Sequence, residues 1–329
     1  MNKVISVIVL VLGVLAIVYF MSKNTHDKAD QAFITVTKIV EHPALDEVYR
    51  GLLDELNEEG YIPGKTLKLV YESAQGDAVM ANQIARHFVS MDPDVMVGIG
   101  TPSAQALVAN NQNAQLPIVF SAITDPIGSQ LVSSLDKRTV DVTGVSDWID
   151  LGPQLELFRM LMPEMKRLGF IYNGSEANSL VILKKLEKEA VAFGLSIVSV
   201  TASNSSEVAQ ATRSLVGKVD AIYISHDNTA LSAFESIVKI ADGEKIPVFV
   251  SDIDMVERGA TAALGPSQYL LGRETGKIIV SILQGVPARD IPVFFPKEFQ
   301  FFLNLSTQAK VNIIVPDKKS KFGKPDKIF

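Results

Sequence analysis

Hydroxyl, amide and carboxylate side chains collect in this chain where short apolar runs stop. After Val95 to Ile99 the sequence reads Gly100-Thr101-Pro102-Ser103, and after Ile118 to Phe120 it reads Ser121, then Thr124-Asp125-Pro126. After Asp220 to Ile224 come His226-Asp227-Asn228-Thr229, and after Pro247 to Val250 come Ser251-Asp252. A β-branched run halted by turn residues, with an alanine-rich segment behind it, predicts strand, tight turn and helix N-terminus. At such a terminus free backbone N–H groups point outward and the helix dipole favours negative charge, so Thr101 and Ser103 would seat an anion, most simply a carboxylate. The same hydroxyls serve equally well as helix caps.

The carboxylates supply the other half of the chemistry. In open parallel sheets ligands bind beyond the carboxyl ends of the strands. That rule gathers Glu41-His42-Pro43, Ser73 to Asp77, the turns after Ile99 and Phe120, Asn173 to Ser179 with Asn178 and Ser179, Asn204-Ser205, and the turns after Ile224 and Val250. None of them contains Lys or Arg. Asp125, Asp227 and Asp252 stand at matching strand ends. A helix terminus contributes only about 0.3–1 kcal/mol to a nearby ion, whereas an uncompensated buried ion costs several kcal/mol. Carboxylates in a closing cleft therefore call for a cation. A zwitterion, with its ammonium on an Asp and its carboxylate on hydroxyls and helix N–H groups, meets both demands, and a polyanion such as a nucleotide is badly matched to the carboxylates. Each Asp also reads as an ordinary turn or cap residue. His42, at a helix start, joins the candidates but reads as structural too. Trp148 either lines the cleft or packs the hinge.

The elements that must hold these turns alternate strongly. Strands are expected at Phe33 to Val40, Leu67 to Tyr71, Val95 to Ile99, Pro117 to Phe120 and Val142 to Val145, with helices at Ala44 to Glu59, Asp77 to Ser90 and Ser103 to Asn110. The pattern then restarts, with strands at Arg167 to Tyr172, Leu195 to Val200, Asp220 to Ile224 and Pro247 to Val250. Its helices are Asn178 to Phe193, Ser206 to Val216 and Asn228 to Ala241. QIARHFVSMDPDVMVGIGTPSAQ aligns with QATRSLVGKVDAIYISHDNTALS, and LPIVFSAITDP with IPVFVSDIDMV, so two similar lobes follow. Such alternation predicts an α/β protein with parallel sheets. Late elements, a strand at Thr261 to Leu264, a helix at Leu270 to Gln284 and a strand at Glu298 to Leu303, are expected to complete both lobes. They place crossings near Gly144 to Asp150, Leu264 to Ser267 and Arg289 to Val293. Lobe 1 is then 33–147 with 266–289, and lobe 2 is 148–265 with 290–316. The charged tail 317–329 reads as a solvated, poorly ordered end.

Composition narrows the classes. A chain of 329 residues suggests two domains. Its net charge of −6 gives no basic stripe for nucleic acid. With no Cys and four His, thiolate chemistry and spaced metal ligands are absent, and no P-loop or G-x-S-x-G occurs. No cofactor, metal or catalytic group is expected. After Lys3, Val4 to Phe20 is almost unbroken apolar sequence, about 25 Å as a helix at ~1.5 Å per residue. With residues 1–32 it reads as a signal peptide or an uncleaved membrane anchor plus linker, which puts the body outside the cytoplasm.

The strings TKIVEHPALD, ESAQGD, TPSAQA, VFSAITDP, TGVSD, IYNGSEANS, VDAIYISHDNT, IPVFVSDID and VERGA resemble the substrate-binding proteins of ABC transporters, in the family of tryptophan- and tyrosine-type binding components. The resemblance runs from about Phe33 to Pro316. It implies a type I periplasmic-binding fold, two Rossmann-like three-layer α/β/α lobes joined by three hinge crossovers, closing on a ligand and presenting it to a membrane permease. It also implies that Thr101, Ser103, Ser121, Thr124, Asp125, Asn178, Ser179, Asp227, Asn228 and Asp252 line the cleft. The lipobox cysteine common in Gram-positive members is missing, which favours a Gram-negative periplasm or an anchored form. Gly265-Pro266-Ser267-Gln268 replaces a commonly aromatic segment, so ligand identity does not transfer. The two functions left standing are an importer's solute receptor and an anchored sensory module using the same cleft.

Overall fold

The computed structural model describes residues 31–135, 140–306, 313–315 and 321–329. The expected export segment, 4–20, lies outside these residues. Among the described residues no helix is long and apolar enough to cross a membrane.

Two sheets organise the chain. The first holds β1 (Ala32–Lys38), β2 (Leu67–Ser73), β3 (Val95–Ile99), β4 (Ile118–Ile123) and β5 (Val142–Ser146) in the order β2-β1-β3-β4-β5, all parallel. The second holds β6 (Arg167–Tyr172), β7 (Ser196–Thr201), β8 (Ala221–Ile224), β9 (Val248–Val250), β10 (Ala262–Gly265), β11 (Gln300–Leu303) and β12 (Lys327–Ile328) in the order β12-β11-β10-β9-β8-β6-β7. Its stretch β7-β6-β8-β9-β10 repeats the connectivity of the first sheet, so the internal repeat of the sequence is a repeat of topology. Central β3 and β4 are buried throughout, whereas edge strand β7 exposes much of its length, as expected where one neighbour is missing.

Helices cover both faces. In the first lobe they are α1 (Pro43–Glu58), α2 (Ala78–Ser90) and α3 (Thr101–Asn110). The second lobe carries α4 (Leu151–Leu161), α5 (Ala177–Ala190), α6 (Ser205–Leu215), α7 (Asn228–Ser232) and α8 (Phe234–Gly243), and α9 (Gln268–Leu283) follows. Two expectations fail here. Helix α4 was not anticipated. Gly152-Pro153 occupies its first turn, where a missing N–H costs nothing. The single helix expected from Asn228 divides at Ala233, whose φ of −116° and ψ of 25° leave the helical region.

The first lobe has one apolar core, around Met96, Phe88 and Phe120. The second has one on each sheet face. Phe234 and Ile237 mark one, and Phe158, Phe170, Tyr223 and Phe249 mark the other, where Phe158 and Phe249 stack at 4.4 Å. The chain leaves the first sheet after Ser146, returns after Gly265 to lay α9 on α1, and leaves again late. Phe294 still pairs with β5, donating its N–H to the Gly144 carbonyl at 2.9 Å and accepting from Ser146 N–H at 2.8 Å. The last crossing therefore falls between Phe294 and Gln300, later than the Arg289 to Val293 expected.

The tail also departs from expectation. Residues 321–329 return to the second sheet, where Phe301 N–H donates to Asp326 Oδ2 at 2.7 Å and Phe329 N–H to the Leu303 carbonyl at 3.0 Å. Phe329 then packs on Phe302. Counting charges missed this aromatic anchor.

Helices α1 and α9 approach each other through glycines. A Cβ on Gly272 would overlap the Val48 carbonyl, one on Gly51 the Tyr269 carbonyl, and one on Gly276 the Glu55 side chain. Arg273 pairs with Glu55 and Glu58 across the same seam. Gly272→Ala is expected to destabilise by about 1–3 kcal/mol or more, since backbone cannot yield as a side chain does. Gly243→Ala, with open space around it, is expected to be neutral or slightly stabilising. Urea unfolding of the two variants checks the contrast.

Candidate functional site

The carboxyl ends of both sheets face each other, and the turns beyond them enclose a small cavity. It is lined by His42, Ala44, Leu45, Thr101, Ala122, Thr124, Asp147, Asn178, His226, Asn228, Leu231, Asp252 and Gln268. Its volume is about 10 Å³, in the measure for which one water needs ~10–15 Å³. An amino acid enters only if the lobes part.

Six of the eleven expected residues meet here: His42, Thr101, Thr124, Asn178, Asn228 and Asp252. His42 precedes α1 in extended conformation and reaches across the cleft, its Nε2 3.4 Å from Asn228 Oδ1. The Asn228 amide donates to Glu176 Oε2 at 2.6 Å, which orients Oδ1 as the acceptor and makes Nε2 the protonated nitrogen. Burial pushes the His42 pKa down to about 4. The ring is neutral near pH 7, with Nδ1 a buried acceptor lacking a partner. Thr101 begins α3 directly after Gly100, whose φ of 83° suits glycine. A Cβ at Gly100 would crowd Ile39.

Five expected residues do other work. Ser121 sits 2.6 Å from Thr275 Oγ1. Because that hydroxyl donates to the Leu271 carbonyl at 2.9 Å, Ser121 donates to it, tying β4 to α9. Asp125 closes its own turn, accepting from Ile127 N–H at 3.2 Å and Gly128 N–H at 2.9 Å. Asp227 is consumed by its own lobe: Oδ2 accepts from Asn173 N–H and Ser179 Oγ at 2.6 Å each, and Oδ1 from Ala230 N–H at 2.7 Å. Ser179 is thereby engaged too. Burial, and then Glu176 beside it, push the Asp227 pKa up, while these donors pull it down. Ser103 is buried with its Oγ unpartnered but does not border the cavity. Capping therefore wins at Asp125 and Asp227, where the carboxylate finds backbone donors two or three residues along.

Three polar lining residues are absent from the expected set, besides the four apolar ones. Asp147 ends β5 much as Asp252 follows β9, and the strand-end rule applied to TGVSD finds it. His226 lies in the same turn as Asp227, and Gln268 opens α9. Gln268 Nε2 donates to Asp252 Oδ1 at 2.6 Å. Asp147 Oδ1 is 3.8 Å from His226 Nδ1, and Asp252 Oδ1 is 3.8 Å from His226 Nε2. All three side chains are more than nine-tenths buried. Burial raises the Asp252 pKa to about 6, with His226 pulling it down and Asp147 pushing it up.

Five side-chain acceptors of cavity-lining residues are buried without partners among the described residues: His42 Nδ1, Asp147 Oδ1, Asn178 Oδ1, Asp252 Oδ2 and Gln268 Oε1. Buried polar atoms are normally paired, so this concentration marks a place suited to a group rich in N–H donors. Ala44, Leu45, Ala122 and Leu231 form apolar walls. Ala122 holds a φ of 54° at an irregularity in the β4–β5 pairing, a strained conformation of the kind that clusters at functional sites. Trp148 lies away from the cavity. Its Nε1 donates to Asp150 at 3.1 Å, Lys185 covers its ring, and Leu264, Phe295 and Phe299 share its hinge-side pocket.

Known proteins share this architecture. The family model for ABC transporter substrate binding proteins matches residues 33–325. A tyrosine-binding protein of Clostridioides difficile (strain R20291) is 37% identical over 289 residues, 87% of this chain and 83% of the relative. The ABC domain structure from Streptococcus pneumonia in complex with L-Trp is 34% identical, with a TM-score of 0.86 over 91% of this chain and 100% of that one. A ligand-free, open substrate-binding protein with adhesive properties from Clostridium difficile is 33% identical over the same shares, with a TM-score of 0.65. With its type I periplasmic-binding fold, the chain belongs to the ABC transporter substrate-binding protein family.

Proposed function

We propose that this chain is the extracytoplasmic receptor of an ABC importer, enclosing an amino acid between its lobes and delivering it to a membrane permease. The observation that carries the reading is the ring of five unpartnered acceptors around one cavity. An ammonium brings three N–H donors and the positive charge that Asp147 and Asp252 call for. The ligand carboxylate falls to the Thr101 hydroxyl and the free N–H groups at the start of α3. Thr124 adds a second hydroxyl on the same lobe. The apolar walls favour an apolar or aromatic side chain, in keeping with the tyrosine and L-Trp named for the two relatives. Segment 4–20 serves export or tethering. The role is binding without turnover.

Lobe closure supplies the affinity. His42 with Asn228 and Gln268 with Asp252 bridge elements of the two lobes. At nearly equal identity and coverage the chain superposes better on the L-Trp complex than on the open, ligand-free protein, which supports reading this arrangement as the closed one. A ligand favours closure only by its greater affinity for that state.

Asp147→Asn and Asp252→Asn are each expected to weaken binding of L-tyrosine or L-tryptophan by about 10- to 100-fold, the ~1.5–3 kcal/mol of a charged hydrogen bond. Asp125→Asn is expected to leave affinity within about twofold. Isothermal calorimetry checks both, and absence of binding by any amino acid would sink the reading.

Asp252 also carries a stability signature. Its folded pKa of about 6 exceeds the ordinary value near ~4, so the fold prefers the protonated carboxyl. That contribution is complete below about pH 4 and is lost as pH rises through about 6. Without added amino acid, Asp252→Asn should melt a few degrees higher than the parent at pH 8, and the gap should close by pH 4. Scanning calorimetry across that range reads the difference.

A further inference from the structure

We infer that ligand binding at this cleft is coupled to loss of a proton from His226, whose imidazolium and the ligand's ammonium compete for the same two carboxylates. The inference rests on the reading of the cleft as an ammonium site. Its basis is the position of the ring, set between Asp147 and Asp252 with 3.8 Å on either side. Those separations suit an ion pair and exceed a hydrogen bond. Neither ring nitrogen has a hydrogen-bond partner among the described residues, although the ring is buried. A neutral ring so placed leaves both its own nitrogens and one oxygen of each carboxylate without a partner among the described residues, and gives neither carboxylate a counter-charge. A protonated ring supplies the missing positive charge.

Other charged groups around the ring do not take its place. His42, from the start of α1, is held neutral by burial. Gln268, from α9, gives one neutral N–H to Asp252. Glu176 binds Asn228 and Thr229, and Asp227 is saturated within its lobe. Lys38, the nearest lysine in the His42 surroundings, is paired with Glu41 and Asp46. Within the cavity His226 is therefore the basic side chain that faces both carboxylates.

When an ammonium settles among the acceptors, it and an imidazolium would share one small, water-poor space. Two like charges held that close repel strongly where little water separates them. The imidazolium relieves this by giving its N–H proton to solvent, and the carboxylates pass to the ammonium. Linkage is reciprocal. Affinity therefore falls in acid, approaching about tenfold per pH unit once the ring of the free protein is charged.

The test follows the ring directly. Imidazole C–H resonances of the full chain are recorded from pH 8 to pH 5, with and without saturating L-tyrosine or L-tryptophan, and His226 is assigned from the spectrum of His226→Gln. The expected result is that the amino acid moves the His226 titration to lower pH by at least one unit, and that Kd rises on acidification over the same interval. A titration unchanged or moved upward by the ligand overturns the coupling, even where the amino acid binds. Should neither bind, the amino acid that calorimetry finds to bind takes their place, and failure of every amino acid to bind at any pH overturns the reading of the cleft and the coupling with it. If His226→Gln does not fold, the ring resonances are assigned from through-bond spectra of the isotopically labelled parent, which reads His226 apart from the carboxyl of Asp252, and the same shift supports or ends the coupling.

Discussion

Two carboxylates buried within reach of one imidazole set the terms for the rest of this molecule. Removing a carboxylate from water costs several kcal/mol unless a counter-charge and donors replace the lost hydration. Asp147 comes from the first crossing, His226 and Asp252 from the ends of β8 and β9. Their meeting requires both sheets to present carboxyl ends to each other. The other charged groups nearby are already engaged, as Glu176, Asp227 and Lys38 show. The cleft is thus held short of electrostatic balance by a scaffold whose cores are otherwise well packed, and that imbalance is what a ligand can relieve.

The fold was largely legible from the residues. Apolar runs of β-branched side chains ending at Gly, Ser or Asp mark each central strand, and β3 and β6 have the expected bounds. The repeat of QIARHFV and QATRSLV segments announced the shared connectivity. What escaped has local causes. Helix α4 carries Gly152-Pro153 in its first turn. The tail hides a phenylalanine anchor, Phe329, among its lysines.

The site was legible only by half. Strand-end logic found Asp252 and Thr101, yet the same logic also admitted Asp125 and Asp227, which a short turn and a helix cap consume. A carboxylate two or three residues before free backbone N–H groups looks alike in sequence whether it faces them or a ligand. Asp147 was passed over because it precedes Trp148 in what reads as a hinge. Contacts that join the lobes, His42 to Asn228 and Gln268 to Asp252, link residues far apart in the chain and leave no local trace.

The seam between α1 and α9 has a consequence in time as well as in space. The surface of α1 around Gly51 and Leu52 is covered by a helix that the chain reaches only after the whole second lobe has been made, and β5 waits likewise for Phe294. Domains ordinarily fold from the N-terminus as the chain emerges. Here the first lobe emerges early but exposes an apolar groove until the end, so its completion is a late, long-range event with a large loop to close. Until α9 arrives, that face of α1 stays uncovered.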